Sequence, residues 1–364
     1  MKDLHQRLRS KLQQREQEGN LRILQSYTNF TDFFSNDYLG FGNIDGSEVI
    51  HFKNTGSSRL IAGTTDLHLA LENHCSHLFQ GEKALLFNSG YSANLGVLSS
   101  IPQKDDIILY DERSHASIKD GVRLSLAKGI KFKHNDLDDL DKKLNIYSAQ
   151  SVFVIVESLY SMDGDFAKLH EISEICKKFN AYLVVDEAHS GGVFGKNGSG
   201  LCSELNIQPF LKITTFGKAF GAHGACVVGD SVTIDFLINF SRPFIYTTAL
   251  SQSAVNQIFK QLKRTDFKDQ QEKLQSIITY FNDKFTDFNI ESNSKSPIKS
   301  ILYKNRSNLR TLEAELHEQK IGIKAIYAPT VPENEERIRI SLHAFNTFEE
   351  IDELYATLEK HKVN

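Results

Sequence analysis

In the run Ile213-Thr-Thr-Phe-Gly-Lys218-Ala-Phe-Gly-Ala-His-Gly224 a single lysine stands between apolar stretches and among small residues. An amine at the end of a buried strand is partly desolvated, which lowers its pKa and makes it a nucleophile suited to a Schiff base. Glycines at 217, 221 and 224 let a bulky ligand approach the backbone closely. Upstream, Ala181-Tyr-Leu-Val-Val185 reads as a buried parallel strand that runs into Asp186-Glu-Ala-His189. Ligands of open α/β sheets collect at the carboxyl ends of strands, so Asp186 can meet one with a carboxylate and His189 with an imidazole. Beside a pyridine ring the carboxylate would keep the ring nitrogen protonated, making the ring an electron sink, while the imidazole bonds the ring's phenolic oxygen. Taken alone, Asp186 reads equally well as a turn or helix cap.

Other chemistries fit less well. A nucleotide P-loop would need glycine at 212 and a hydroxyl at 219, where this chain has Lys212 and Ala219. The nearest approach to a dinucleotide fingerprint, Gly198-Ser-Gly200-Leu-Cys-Ser203, ends in the wrong residue. Cysteines at 75, 176, 202 and 226 lack metal-ligand spacing, and His74 and His77 have no acidic or thiol partner at fixed spacing; the two histidines read as surface residues and no metal is expected.

An anion site is legible at Asn88-Ser-Gly-Tyr91, which joins the strand-like Ala84–Phe87 to a helical stretch whose first amides would face a phosphate. The bland alternative is an ordinary βα turn. In Arg337-Ile-Arg-Ile-Ser-Leu342 the arginines alternate with apolar residues as in a half-buried strand, and Arg339 could grip a carboxylate bidentately.

Together with Ser35-Asn-Asp-Tyr-Leu-Gly40, Gly56-Ser-Ser-Arg-Leu-Ile-Ala-Gly63, Ser114-His-Ala-Ser117, His134-Asn-Asp136, Ser161-Met-Asp-Gly-Asp165 and Pro329-Thr-Val-Pro332, these motifs resemble, in order and spacing, the α-oxoamine synthases, a family of fold type I pyridoxal-phosphate enzymes. The resemblance implies that Lys218 carries pyridoxal 5'-phosphate and moves protons at the substrate α-carbon. It implies that Asp186 pairs with the ring nitrogen, that His189 and Ser161 lie near the phenolic oxygen, and that His115 stacks on the ring. Phosphate contacts would come from Gly90, Tyr91 and Thr215, with Thr247 or Thr248 reaching across from a second subunit of a homodimer. The amino-acid carboxylate would be held by Arg339 and Asn36, and the acyl thioester approached by Arg22. The implied reaction is a decarboxylative Claisen condensation of an amino acid with an acyl-CoA or acyl carrier protein. Pro329-Thr-Val-Pro332 favours the biotin-pathway branch, which joins L-alanine to a pimeloyl thioester; sister branches use glycine or serine. Gly191, where relatives often have threonine, and Ser251-Gln252, in place of a common Pro-Pro, depart from the pattern. A non-enzymatic scaffold and a simple aminotransferase on the same fold are the other readings.

The elements that must position these residues follow from periodicity. Residues 1–18 read as a polar helix with Leu4, Leu8 and Leu12 on one stripe, packed on the body or on a partner. Apolar strands at 84–87, 107–110, 152–156, 181–185, 212–216 and 225–229 alternate with amphipathic helices, and strands near 300–303 and 337–342 and a final helix from Thr347 follow longer helices. The expected fold is α/β: a fold type I transferase with a mostly parallel sheet of about seven strands in a large domain (41–243), preceded by an N-terminal arm (1–40) and followed by a smaller α+β domain (244–364). With 364 residues, 24% of them charged, and a net charge of −4, the chain reads as a cytoplasmic enzyme with a sizeable core and no broad nucleic-acid surface. Its apolar runs are too short to span a bilayer, and its N-terminus lacks the apolar core of a secretion signal.

Overall fold

A computed structural model describes residues 4–19, 30–41, 56–303, 305–328 and 330–362, the side chains of 4–9 and 11 excepted. Its centre is a seven-stranded sheet built from Lys83–Phe87 (β1), Ile107–Asp111 (β2), Lys128–Phe132 (β3), Val152–Glu157 (β4), Tyr182–Asp186 (β5), Leu211–Thr215 (β6) and Ala225–Gly229 (β7). The spatial order is β1-β7-β6-β5-β4-β2-β3; β7 runs antiparallel to both of its neighbours and every other pairing is parallel.

Both faces of this sheet are covered, which is why β4 reads as an unbroken apolar run. Its residues alternate between two cores: Val152, Val154 and Val156 pack with Leu140, Leu144, Leu169 and Ile172, while Phe153 and Ile155 pack with Ala93, Val97, Ile118 and Val122. A third core joins Leu86, Cys226 and Val228 to the helices Asp66–Leu78, Gln252–Leu262 and Phe267–Lys284. It continues to Ile338 and Ile340 in a three-stranded antiparallel sheet, Lys324–Ile326, Arg337–Ser341 and Ile298–Leu302 in spatial order.

Several expectations change. The edge strand β3 is absent from the sequence reading because only Phe132 of its residues is buried and lysines face solvent, so no apolar run marks it. The first helix, Leu4–Gln17, forms, but Leu12 is 56% exposed, so this leucine does not pack on the body. His74 is not a surface residue: it is half-buried, 5.4 Å from the Phe259 ring. Arg22 and Pro329 lie outside the described residues. The departures from the family pattern find local reasons. Ser251 caps the helix Gln252–Leu262 by accepting the Ala254 N–H, and a Cβ at Gly191 would stand 2.8 Å from Thr214 Cγ2 and 3.1 Å from the Glu187 carbonyl. Among the described residues no helix is long and apolar enough to cross a membrane.

Candidate active site

Strands β1, β2, β4, β5 and β6 all end on one edge of the sheet, and the segments leaving them carry the candidate residues. Lys218 sits in the turn after β6. The turn closes through Gly221 N–H to the Lys218 carbonyl at 2.8 Å, with Gly221 at φ +59°, a left-handed conformation that suits glycine. Phe216, Ala219 and Phe220 are buried around it, and the half-buried lysine lines a cleft of about 280 Å³. The cleft is also lined by Asn36, His115, Ser161, His189 and Arg339, so most of the residues singled out in the sequence converge on one place. Loss of solvent lowers the Lys218 pKa; with the charges of Asp186 and Glu157 pulling it back up and that of Arg339 pushing it further down, it settles at about 8.

Asp186 is the last residue of β5 and is buried. Its Oδ1 accepts the Ala188 N–H at 2.9 Å and its Oδ2 accepts Asn94 Nδ2 at 2.7 Å, so the carboxylate is fixed from two sides. Asn94, on the helix Gly90–Ser100, also donates to Ser117 Oγ at 3.0 Å. His189 lies with Nδ1 2.8 Å from the Tyr38 hydroxyl, which is itself 3.0 Å from Asn36 Oδ1. Burial holds His189 well below the usual histidine range, helped by the charges of Lys218 and Arg339, while burial raises Tyr38 to about 12; both are neutral near pH 7. Arg339 Nε donates to the Ser161 carbonyl (2.6 Å), Nη1 to Ser341 Oγ (2.9 Å) and Nη2 to Asn36 Oδ1 (2.9 Å). Its plane is thereby locked.

The turn after β1 leads into the helix Gly90–Ser100 through a capping box between Ser89 and Ser92. The amides of Gly90 and Tyr91 have no carbonyl within the helix to bond. Thr215 Oγ1 would stand 3.7 Å from a Cβ at Gly90, so its hydroxyl borders the same turn. Thr247 and Thr248 also border it, within this same chain: Asn88 Nδ2 donates to Thr247 Oγ1 at 3.2 Å and to the Thr248 carbonyl at 3.0 Å. His115 is the N-cap of the helix Ala116–Leu124, its Nδ1 accepting the Ser117 N–H at 3.2 Å, while its ring stands open to the cleft in edge contact with Tyr91 at 6.4 Å. His115 thus caps the helix and also lines the cleft.

Three buried neighbours escaped the sequence reading. Glu157 ends β4 as the Cα partner of Asp186 and accepts the His115 N–H at 2.5 Å. Tyr38 and Asn94 lie inside motifs read for other residues. Beyond them, His134 bridges Asp111 (2.9 Å) and Asp165 (2.8 Å). Burial alone would lower its pKa, but the two carboxylates outweigh this and raise it to about 9. Because the folded value lies above the unfolded one, its stabilisation is complete below about pH 6.5 and is lost as the pH rises through about 9. His134→Gln is expected to lower stability by about 3 kcal/mol at pH 6 and by much less at pH 9.5, read from urea midpoints; an equal loss at both pH values would contradict the charged bridge.

This sheet order and this edge-of-sheet cluster define a class, and the chain belongs to the aminotransferase class I and II family, whose model matches residues 28–358. It is 38% identical to the 8-amino-7-oxononanoate synthase of Emericella nidulans, over 98% of this chain and 95% of that protein. It is also similar to the solved 8-amino-7-oxononanoate synthase of Francisella tularensis (32% identity, TM-score 0.79, 91% of this chain and 97% of that one). A serine palmitoyltransferase from S. paucimobilis, solved with PLP and myriocin bound, superposes with a TM-score of 0.89 at 25% identity, covering 99% of this chain and 98% of that one.

Proposed function

We propose that the protein is a pyridoxal-phosphate-dependent acyltransferase that joins L-alanine to a pimeloyl thioester, of coenzyme A or acyl carrier protein, releasing the thiol carrier and carbon dioxide and forming 8-amino-7-oxononanoate for biotin biosynthesis. The observation that carries the reading is the convergence of Lys218, Asp186, His189 and His115 on one edge of the sheet in a chain whose curated relatives include 8-amino-7-oxononanoate synthases.

The residues present fit the cofactor. A cleft lysine with a pKa near 8 suits imine formation near neutral pH, an anchored buried carboxylate suits a pyridinium, and the start of the helix Gly90–Ser100 beside the Thr215 hydroxyl suits a phosphate. Bound there, pyridoxal phosphate supplies the electron sink that stabilises negative charge at the amino acid α-carbon. Asp186 holds the ring-nitrogen proton, and Asn94 and the Ala188 amide hold Asp186. Tyr38 gives its one hydroxyl proton to Asn36 Oδ1, so its oxygen accepts from His189 Nδ1–H and fixes the imidazole beside the phenolic oxygen, near which Ser161 also lies. His115 covers the ring, and Lys218 Nζ takes and returns the α-proton. Arg339 and Asn36 bind the substrate carboxylate, Gly90, Tyr91 and Thr215 the phosphate, and Arg22 the acyl thioester.

The reading includes a cytoplasmic homodimer in which Thr247 or Thr248, besides bordering its own chain's phosphate turn, reaches the phosphate site of a second subunit. It also includes a division into an arm (1–40), a large domain (41–243) and a small domain (244–364). The central sheet within 83–229 and the separate sheet within 298–341 support that division. The TM-score of 0.89 favours serine palmitoyltransferase chemistry as the second reading, but it is a backbone likeness, whereas identity is higher to the 8-amino-7-oxononanoate synthases.

Feeding L-alanine labelled in its carboxyl carbon with pimeloyl-CoA tests the reaction: label released as carbon dioxide with 8-amino-7-oxononanoate in the mass spectrum is expected, and label retained in a keto acid would contradict it. Arg339→Lys removes the fixed fork while keeping the charge. It is expected to raise KM for alanine about 10- to 100-fold, the worth of one charge-assisted hydrogen bond, with a smaller change in kcat. An unchanged KM would remove Arg339 from the site.

A further inference from the structure

The end of β4 carries a titratable group that the site as read above does not use. Glu157 and Asp186 are partners in the parallel ladder, and partners across a ladder project to the same face, so two carboxyls lie side by side at 4% and 5% exposure. Glu157 Oε1 accepts the main-chain N–H of His115 at 2.5 Å, the residue at which the chain turns from β2 into the helix Ala116–Leu124. It therefore touches, through one hydrogen bond and one ladder position, both the histidine that covers the ring and the aspartate that meets the ring nitrogen.

We propose that Glu157 is a positioning residue for the cofactor: acting through the His115 main chain and through Asp186 beside it, it fixes the imidazole over the ring and the carboxylate at the ring nitrogen. This rests on the pyridoxal-phosphate reading of the site. The charge state of Glu157 is part of the role. Burial, with the charge of Asp186 at the end of β5 adding to it, raises its carboxyl to a net value of about 8. The His115 N–H and Lys218, in the turn after β6, pull it down, and Asp111, at the end of β2, pushes it up. Tyr160, further along the segment after β4, is a buried neighbour held neutral by its own high pKa. Near pH 7 Glu157 is protonated. Above about pH 8 a negative charge develops on it beside Asp186.

The test uses the full chain loaded with pyridoxal phosphate, reading the dissociation constant of the cofactor and the pH dependence of its visible absorption from pH 6 to 9.5. Glu157→Gln keeps a neutral acceptor for the His115 N–H. It is expected to hold the cofactor as tightly as wild type at pH 6.5, and to lack the change in absorption and affinity that wild type shows on crossing about pH 8. Glu157→Ala leaves that N–H unpaired and is expected to bind the cofactor about tenfold more weakly across the range. If the alanine variant does not fold, the pH profile of the glutamine variant decides. A glutamine variant with the wild-type pH profile, or one as weak as alanine at pH 6.5, overturns the proposal. Failure of wild type itself to bind the cofactor would instead overturn the reading of the site on which it rests.

Discussion

Lys218→Ala is expected to abolish turnover, by at least about 10⁴-fold, because it removes both the nucleophile that anchors the cofactor and the base that handles the α-proton, and general acid–base catalysis alone contributes about 10²–10⁴. The fold should not suffer. Loss of solvent around the amine has already pushed its pKa down, so its removal relieves a cost. Lys218→Met, which keeps the bulk, should melt no lower than wild type. Borohydride reduction of the wild-type protein with pyridoxal phosphate should fix the label to the peptide that contains Lys218. In either variant no peptide should carry it; retention of turnover or of a fixed label would place the chemistry elsewhere.

Asp186→Asn carries the second large effect. The carboxylate is held by the Asn94 side chain and the Ala188 amide, contacts that an asparagine side chain can partly keep, so the variant should fold. It loses the charge that holds a proton on the ring nitrogen. Breaking a buried charge pair costs about 3–5 kcal/mol, which at about 1.4 kcal/mol per decade is a loss of roughly two to four orders of magnitude in kcat. The cofactor should remain attached at Lys218. Near-normal kcat with altered stability would mean that Asp186 is a structural cap, the alternative its position at a strand end allows.

Lys218, Asp186 and His189 can be read from the chain because each lies at, or within three residues of, the end of a buried strand, and such strands end where ligands gather. Glu157 has the same position at the end of β4 and was not read, since a glutamate that ends an apolar run carries no local sign of what it faces. Only the β4–β5 register places it against Asp186. Asn94 and Tyr38 act through contacts 92 and 151 residues away in sequence, which no local pattern announces. The arginine at 339 was read from alternation, but its lock by the Ser161 carbonyl and Asn36 depends on the docking of the smaller sheet against the cleft. Edge strand β3 was lost for the opposite reason: solvent-facing lysines erase the apolar signal although the backbone pairs fully with β2. His74 carries no local sign of its burial, which comes from Phe259 on a distant helix.

Thiol release tests the central claim most directly. The purified, cofactor-loaded protein is given L-alanine, glycine or L-serine in turn with pimeloyl-CoA, acetyl-CoA or palmitoyl-CoA, and free coenzyme A is followed with a thiol reagent. Release with L-alanine and pimeloyl-CoA, well above every other pair, is the expected result. Release with L-serine and palmitoyl-CoA, or with glycine and acetyl-CoA, in preference to that pair would contradict the assignment and move the protein to a sister activity.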